Sequence, residues 1–218
     1  MNILGVDIGG TNLKFRTEQK EVVKVPSGPK MTPDVMMAAI KQHTAGWKYD
    51  HVSIGFPGPV IHERPLLEPH NLGKGWVRFD FKKAFGNRPL KLLNDAAMQA
   101  MGSYGGGRML YLGLGTGLGS AMVVDGSVQA MELAHLPWRK RRSYEDYLGK
   151  AGLKRNGRKV WQKDVLTVIG MMTRALEADY VVLGGGNAKL MKRLPENVIL
   201  GSNDNAFKGA FMLWKDEH

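Results

Sequence analysis

The 218-residue sequence contains no cysteine, and acidic residues are few beside basic ones. The absence of cysteine excludes disulfide bonds, zinc sites with cysteine ligands and a thiol nucleophile, and it predicts a cytoplasmic protein. Long hydrophobic runs are also missing, because the longest uncharged stretch, residues 109–124, carries four glycines and is shorter than a membrane span. The first residues, MNILGVDIGG, lack the basic start and the cleavage site of a secretory signal. We therefore expect a globular protein without a membrane partner.

The excess of basic over acidic residues lies mostly in one segment of the chain. The formal net charge is +11, from 31 Lys and Arg against 20 Asp and Glu. Ten basic and two acidic residues fall within 139–163, so this segment alone has a balance of +8. Two interpretations remain open: a solvated, loop-rich surface, or a binding track for a polyanion.

Short apolar runs that end in glycine-rich turns predict an α/β protein with two lobes. The lobes would comprise residues 1–93, which a C-terminal helix over 205–218 could complete, and residues 94–204. Strands are predicted at 2–7, 13–16, 21–25, 51–55, 90–93, 109–114, 119–124, 128–131 and 180–183, with a hairpin turn at Asp125–Gly126. Helices are predicted at 33–44, after the N-cap Thr32, and at 96–104, 159–178 and 187–191.

The first glycine turn carries the residue types that bind a phosphate chain. Glycine amides and the Lys14 ammonium suit phosphate oxygens, and the Asp7 carboxylate suits Mg²⁺ through water. The stretch contains Asp7, Gly9, Gly10, Thr11 and Lys14. An ordinary glycine hairpin with a charged rim is the alternative.

Two further glycine turns follow apolar strands. The turn of Gly115, Thr116 and Gly117 has neither P-loop nor dinucleotide-binding spacing, and close packing between strands is its alternative explanation. The run of Gly184, Gly185 and Gly186 is predicted to enter a helix, a geometry that suits phosphate or ribose.

Asp95 lies where a predicted strand meets a predicted helix. It is either a helix N-terminal acid, favoured by the macrodipole, or a catalytic base. Glu132, His135 and Glu145 are further polar side chains of the kind that hydrogen-bond a polyol.

Together these stretches resemble the ROK sugar kinases, and among them the bacterial polyphosphate glucokinases. The matching stretches, in family order, are GVDIGGTNLKF (5–15), SIGFPGPV (53–60), LLNDAA (92–97), YLGLGTGLGSAMVVDGSV (111–128), MELAHLPW (131–138) and VVLGGGNAK (181–189). The resemblance implies a two-lobed, actin-like and hexokinase-like fold with RNase H-like cores and an active site in the cleft.

The resemblance also implies a role for each candidate residue. Asp95 would be the general base that takes the proton from the sugar's 6-hydroxyl. Nucleoside binding would fall to Gly184–Gly186. The implied phosphate-binding residues are Asp7, Gly9, Gly10, Thr11, Lys14, Gly115, Thr116 and Gly117, and the implied sugar-binding residues are Asn94, Glu132, His135, Glu145 and Gly58.

The implied activity is transfer of a phosphoryl group from polyphosphate or ATP, with Mg²⁺, to a hexose, with glucose the expected sugar. A homodimer is implied, nucleic acid is not expected as a partner, and zinc is not expected because the family's cysteine-rich zinc motif is missing. The family's Glu-Leu-Gly-His reads Glu132-Leu133-Ala134-His135 here. An inactive sugar sensor, or a protein that binds polyanions or nucleic acid through residues 139–163, is the alternative.

Overall fold

The structure, a computed structural model, describes residues 1–202 and 204–215. Contacts divide the chain into two compact units, one of Met1–Met98 with the segment that begins at Ala206, the other of Gln99–Asn205. The C-terminal helix predicted over 205–218 ends earlier, at Met212, and residues 216–218 lie outside the described residues. The division of the protein into functional lobes at residue 94 stays a prediction. No helix in the described part of the chain is long and apolar enough to cross a membrane.

The first unit is built on a five-stranded sheet with strand order β3-β2-β1-β4-β7. Strands β1, β4 and β7 are parallel, and β2 and β3 extend the sheet as an antiparallel meander. Its elements are β1 (Ile3–Ile8), β2 (Asn12–Arg16), β3 (Val23–Pro26), α1 (Pro33–His43), β4 (His51–Phe56), the short hairpin β5 (Val60–Ile61) and β6 (Arg64–Pro65), α2 (Phe81–Ala84), β7 (Leu90–Asn94) and the start of α3 (Asp95–Ser103).

Local sequence explains most of these elements. All six residues of β1 are buried, as expected for a central strand covered on both faces, whereas β2 alternates buried and partly exposed positions. The predicted start of α1 is confirmed, because the Thr32 side chain accepts a hydrogen bond from the Val35 amide and Pro33 is the first helical residue.

The second unit repeats the strand arrangement of the first, with strand order β10-β9-β8-β11-β12. Strands β8, β11 and β12 are parallel, and β9 and β10 form the antiparallel meander. The predicted Asp125–Gly126 turn is confirmed, with φ of 48° and 81° at the two residues. The elements are the end of α3, β8 (Arg108–Leu114), β9 (Leu118–Val124), β10 (Ser127–Met131), α4 (Tyr144–Leu148), α5 (Lys150–Ala175), β11 (Tyr180–Gly184) and β12 (Val198–Leu200).

The helix predicted over 159–178 was wrong only at its C-terminal end. The range of α5 covers two helices, because Gly157 is non-helical, with φ 72° and ψ 161°, and the second helix, which resumes after Gly157, agrees with the predicted start at residue 159. It ends at Ala175 because Glu177 adopts a left-handed φ of 51°. The segment 139–163 is therefore largely helical, and the loop-rich surface that was one interpretation of it is wrong.

The helix predicted after the triple glycine is also wrong. Only a single 3-10 turn, Ala188–Leu190, follows Gly186. Asn187 is tied back to strand β8, because its amide donates to the Leu114 carbonyl at 2.9 Å and its side chain to the Gly115 carbonyl at 3.0 Å. The chain therefore turns away before an α-helix can form.

The C-terminal helix α6 (Asn205–Met212) packs on the sheet of the first unit through a buried serine. The Ser53 hydroxyl on β4 donates to the Ala210 carbonyl at 2.7 Å and accepts from the Trp214 indole nitrogen at 2.7 Å. Gly5 permits this approach, because a Cβ there would lie 3.1 Å from both Ala210 and Phe207. Ser53 has no exposed surface, so both hydrogen bonds are shielded from water.

Ser53→Ala should lower the free energy of unfolding by about 2 kcal/mol, because it leaves buried polar groups without their partner. Urea denaturation measures the change. Ser127→Ala, at the exposed end of β10, is the matched control and should shift stability by about 0.5 kcal/mol or less. Equal effects of the two substitutions would contradict a special role for Ser53.

Candidate functional site

In the first unit, three chain segments with predicted functional residues leave the same edge of the sheet. Strands β1, β4 and β7 are parallel neighbours, with Asp7 opposite Gly55 and Phe56 opposite Asn94. Their carboxyl ends lead directly into the Gly9–Gly10 turn, Gly58, and Asp95. Ligands of open α/β sheets bind at this edge. The fold thus gathers at one edge residues that are far apart in sequence.

The Gly9–Gly10 turn has little room for side chains. A Cβ on Gly9 would lie 2.8 Å from the Asn12 carbonyl oxygen, which already accepts the Gly9 amide at 3.1 Å. Ser27, which follows β3, holds the turn in place. Its hydroxyl donates to the Gly9 carbonyl, and its amide donates to the Thr11 carbonyl. The turn is therefore rigid and brings backbone rather than side chains to its rim.

Asp7 and Lys14 form an ion pair beside this turn. The Lys14 Nζ lies 3.1 Å from the Asp7 Oδ2, and their side chains are 34% and 12% exposed. Lys14 thus neutralises a nearly buried carboxylate as well as presenting a cation to the turn. No three His, Asp or Glu side chains of the described residues cluster to hold a metal ion. A single carboxylate fits Mg²⁺, which takes few protein ligands and completes its shell with water and phosphate oxygens.

The start of helix α3 assigns different tasks to Asn94 and Asp95. The Asn94 Oδ1 accepts the amides of Ala96 and Ala97 at 2.8 and 3.3 Å, so Asn94 caps the helix. The Asn94 amide nitrogen also donates to the Gly58 carbonyl at 3.2 Å. Asp95 is the first helical residue and is half-buried, with its Oδ1 accepting the Ala96 amide at 2.8 Å. The helix therefore has its cap without depending on Asp95 alone.

The glycine turns of the second unit also lie at the carboxyl ends of parallel strands. Gly113 on β8 pairs with Gly184 on β11, so the 115–117 turn and Gly185–Gly186 leave the sheet side by side. A Cβ on Gly184 would overlap the Tyr111 hydroxyl, and Gly185 has a φ of 78° against the Leu114 carbonyl. Packing therefore explains two glycines of the triple run. Gly186 and Gly115 have open space beside them.

Glu145 lies against the 115–117 turn. Its Oε2 accepts the Leu118 amide at 3.3 Å, and a Cβ on Gly117 would collide with the same oxygen. The turn is held from its other side by the Lys150 amide, which donates to the Thr116 carbonyl at 3.1 Å. The capping box of Ser143 and Asp146 starts helix α4 and so fixes the backbone that carries Glu145.

The charge of Glu132 interacts with the side chains of both His135 and Glu145. Glu132 precedes the 3-10 helix Leu133–His135 and His135 is its last residue, and the Ser120 hydroxyl holds this helix by accepting the Leu133 amide at 3.2 Å. The His135 Nε2 lies 3.7 Å from the Glu132 Oε2. Burial raises the pKa of Glu132, His135 opposes this effect, and the charge of Glu145 adds to it. Both side chains remain partly exposed, so they are open to a polar ligand.

Ala134, which replaces the glycine expected between Glu132 and His135, is accommodated without strain. Its side chain is buried in the core of the second unit, and its φ is not in the left-handed region. The local backbone therefore does not require glycine here.

Two residues near the first turn were missed by the sequence reasoning. The Asn71 Cβ would lie 3.1 Å from a Cβ on Gly10, so Asn71 closes one side of that turn. Glu68 organises the loop that carries Asn71, because its carboxylate accepts the amides of Gly75, Trp76 and Val77. The stretch EPHNLGKGW resembles an ordinary polar loop, and only a search for acids preceding glycine-rich loops could have drawn attention to it.

The duplicated five-stranded unit, with glycine turns and carboxylates at the carboxyl edge of each sheet, defines an α/β protein of the actin-like ATPase class, as predicted. Solved structures share this fold. The inorganic polyphosphate/ATP-glucomannokinase from Arthrobacter sp. strain KM matches with a TM-score of 0.79 at 24% identity, over 96% of both chains. The ROK hexokinase from Thermus thermophilus matches with a TM-score of 0.73 at 21% identity, over 97% of both chains.

The chain belongs to the ROK family, whose family model matches residues 3–132. The polyphosphate glucokinase of Mycobacterium tuberculosis is 24% identical over 204 residues, which cover 84% of this chain and 76% of that protein. The glucokinase of Halalkalibacterium halodurans is 27% identical over 162 residues, which cover 61% of this chain and 49% of that protein. The predicted membership of the ROK family is thus confirmed.

Glu132→Gln should make the protein more stable at neutral pH. The raised pKa means that the folded state holds the Glu132 proton more tightly than the unfolded state, so stability is lost as pH rises through that pKa. Glutamine removes this loss, and the gain should vanish in acid, where Glu132 is protonated. Urea denaturation at both pH values tests this against Glu196→Gln, an exposed control. A gain that persists unchanged in acid would contradict the explanation.

Proposed function

We propose that this hexose kinase transfers the terminal phosphoryl group of inorganic polyphosphate or ATP to the 6-hydroxyl of its sugar, with glucose the preferred substrate. The observation that carries the proposal is the position of Asp95, at the sheet edge that also carries the Gly9–Gly10 turn. The names of two relatives, polyphosphate glucokinase and glucokinase, support the sugar, and the name of the similar inorganic polyphosphate/ATP-glucomannokinase supports the two donors. A homodimer and a cytoplasmic location remain predictions.

Asp95 would act as the general base. Its carboxylate accepts the proton of the 6-hydroxyl while the hydroxyl oxygen forms a bond to the terminal phosphorus and the bond to the leaving phosphate oxygen breaks. Asn94 supports this role, because its side chain caps α3 and so orients the first helical residue. One amide hydrogen of Asn94 is left for a sugar hydroxyl after its bond to Gly58.

The backbone amides of the Gly9–Thr11 and Gly115–Gly117 turns would bind phosphate oxygens, together with the Lys14 ammonium. Phosphoryl transfer depends mainly on positioning and on neutralising charge at these oxygens. Mg²⁺ at Asp7, held through water, would supply further neutralisation when bound. As phosphate arrives, the Lys14 ammonium is already partly engaged by Asp7, which keeps it in place beside the turn.

The second unit would supply the groups that recognise the sugar. Glu132, His135 and Glu145 form one charged cluster, and carboxylates accept hydrogen bonds from sugar hydroxyls. Glu145 also borders the 115–117 turn, so a phosphate-binding element and a sugar-binding side chain share one contact. The nucleoside role predicted for Gly184–Gly186 has weaker support, because packing explains two of the three glycines.

Asp95→Asn should reduce hexose phosphorylation by about a thousandfold, the size expected for loss of a general base. The experiment mixes glucose and Mg²⁺ with either polyphosphate or ATP and follows glucose 6-phosphate. Asp34→Asn, which removes another first-turn helix acid from the same unit, is the matched control and should retain full activity. If Asp95→Asn keeps its activity, Asp95 is not the general base, and if the unaltered protein phosphorylates no hexose with either donor, the sugar-sensor alternative is favoured. Product from ATP alone would exclude polyphosphate as a donor.

Gly117→Ala should separate stability from activity. The added Cβ meets the end of the flexible Glu145 side chain, so the fold should accept the change while the carboxylate moves. We expect the KM for the hexose to rise about tenfold, the usual effect of one lost polar contact of about 1.4 kcal/mol, with little change in the melting temperature. Gly170→Ala, where the added Cβ meets only the end of the Arg174 side chain at 3.7 Å, is the control. An unchanged KM in Gly117→Ala would argue against Glu145 as a sugar ligand.

A further inference from the structure

The basic segment 139–163 does not act as one continuous surface. Three of its arginines are used to hold the second unit together. Arg139 pairs with the buried Asp164 at 2.9 Å, and Arg155 donates to the Asp146 carbonyl at 2.6 Å. Arg158 donates twice to the Leu190 carbonyl, at 3.1 and 2.6 Å. These side chains stabilise the fold, so any polyanion site must use other cations.

Four such cations line a groove of about 750 Å³ in the second unit. Lys159 and Lys163 lie one turn apart on α5, and Lys192 and Arg193 lie on the segment after the 3-10 turn. We call this the basic groove. No carboxylate of the described residues lines it or forms an ion pair with these four side chains. The other lining residues are uncharged: Gln162, Leu166, Thr167 and the buried Met191.

The walls of the basic groove are held by hydrogen bonds. The Leu190 carbonyl accepts both bonds from Arg158 and a third from the Gln162 side chain at 2.5 Å. This links α5 to the segment that carries Lys192 and Arg193. Four exposed cations therefore line one groove, which makes it a region of positive potential that favours an anion.

We infer that the basic groove binds the chain of inorganic polyphosphate beyond the phosphates that react. This rests on the proposed function, since it names the donor. A flexible polyanion without bases matches a groove that is lined by four cations and otherwise by uncharged, non-aromatic side chains. Single-stranded nucleic acid binds through aromatic side chains that stack on bases, and no aromatic residue among the described residues lines this groove.

The test compares two double variants, Lys159→Gln with Lys163→Gln, and Lys192→Gln with Arg193→Gln. In each, the KM for long-chain polyphosphate should rise about tenfold and depend less on salt, because two phosphate contacts are lost. The KM values for ATP and for tripolyphosphate should not change, because these donors are too short to need the groove. The control variant, Lys20→Gln with Lys48→Gln, removes the same charge from exposed sites in the first unit and should change none of these KM values.

Calorimetric titration of the protein with long-chain polyphosphate, in the absence of hexose, separates this inference from the proposed function. If the unaltered protein phosphorylates no hexose with any donor, the proposed function fails, and weaker polyphosphate binding in the groove variants alone would still support the groove. Unchanged binding in both groove variants, or an equal loss in the control variant, overturns the inference. Tighter binding of a single-stranded RNA of equal charge, lost in the same variants, overturns it as well.

Discussion

The parallel pairing of strands decides where the three glycine turns and Asp95 of this protein lie. In each unit an antiparallel meander leads into parallel strands, and parallel neighbours bring their carboxyl ends to one edge. Because β1, β4 and β7 share this direction, the first glycine turn, Gly58 and Asp95 leave the sheet together. The same pairing of β8 with β11 puts the second and third turns side by side. Changing the register of one strand would therefore move these turns and Asp95 apart.

Glycine serves two different purposes at these edges. Gly9, Gly184 and Gly185 are required by close backbone or side-chain neighbours, and a Cβ at any of them would meet backbone atoms or the Tyr111 ring. Gly115 and Gly186 have open space, so packing does not explain them. Open glycines leave backbone amides accessible, which is the property that a phosphate-binding turn needs. The distinction separates turns that maintain the fold from turns that are open to a ligand.

The excess of positive charge is likewise divided between structure and surface. Arginines 139, 155 and 158 satisfy a buried carboxylate and backbone carbonyls, whereas the lysines between them remain at the surface. Arginine suits the first task because its planar guanidinium can donate several hydrogen bonds at once. Net charge therefore overstates the polyanion-binding capacity of this segment, and the contribution of residues outside it, Lys192 and Arg193, is visible only once the chain is folded.

Much of the molecule could be predicted from its sequence. The alternation and length of apolar runs located the ten strands of the two sheets except β12, and Thr32 and Pro33 marked the start of α1. The ordered motifs identified the family. Local signals failed at the C-terminal end of α5 and after Gly186, where the left-handed Glu177 and the hydrogen bonds of Asn187 to Leu114 and Gly115 decide the outcome.

By itself the sequence determined the elements, the glycine turns and the inventory of charged side chains, because periodicity and turn chemistry act over a few residues. Only the tertiary structure decided that Asn94 caps α3 beside Asp95, that Glu145 lies on Gly117, and that two lysines of α5 share a groove with Lys192 and Arg193. Each of these contacts joins side chains through the packing of whole elements, and no local pattern encodes which atoms that packing brings within reach.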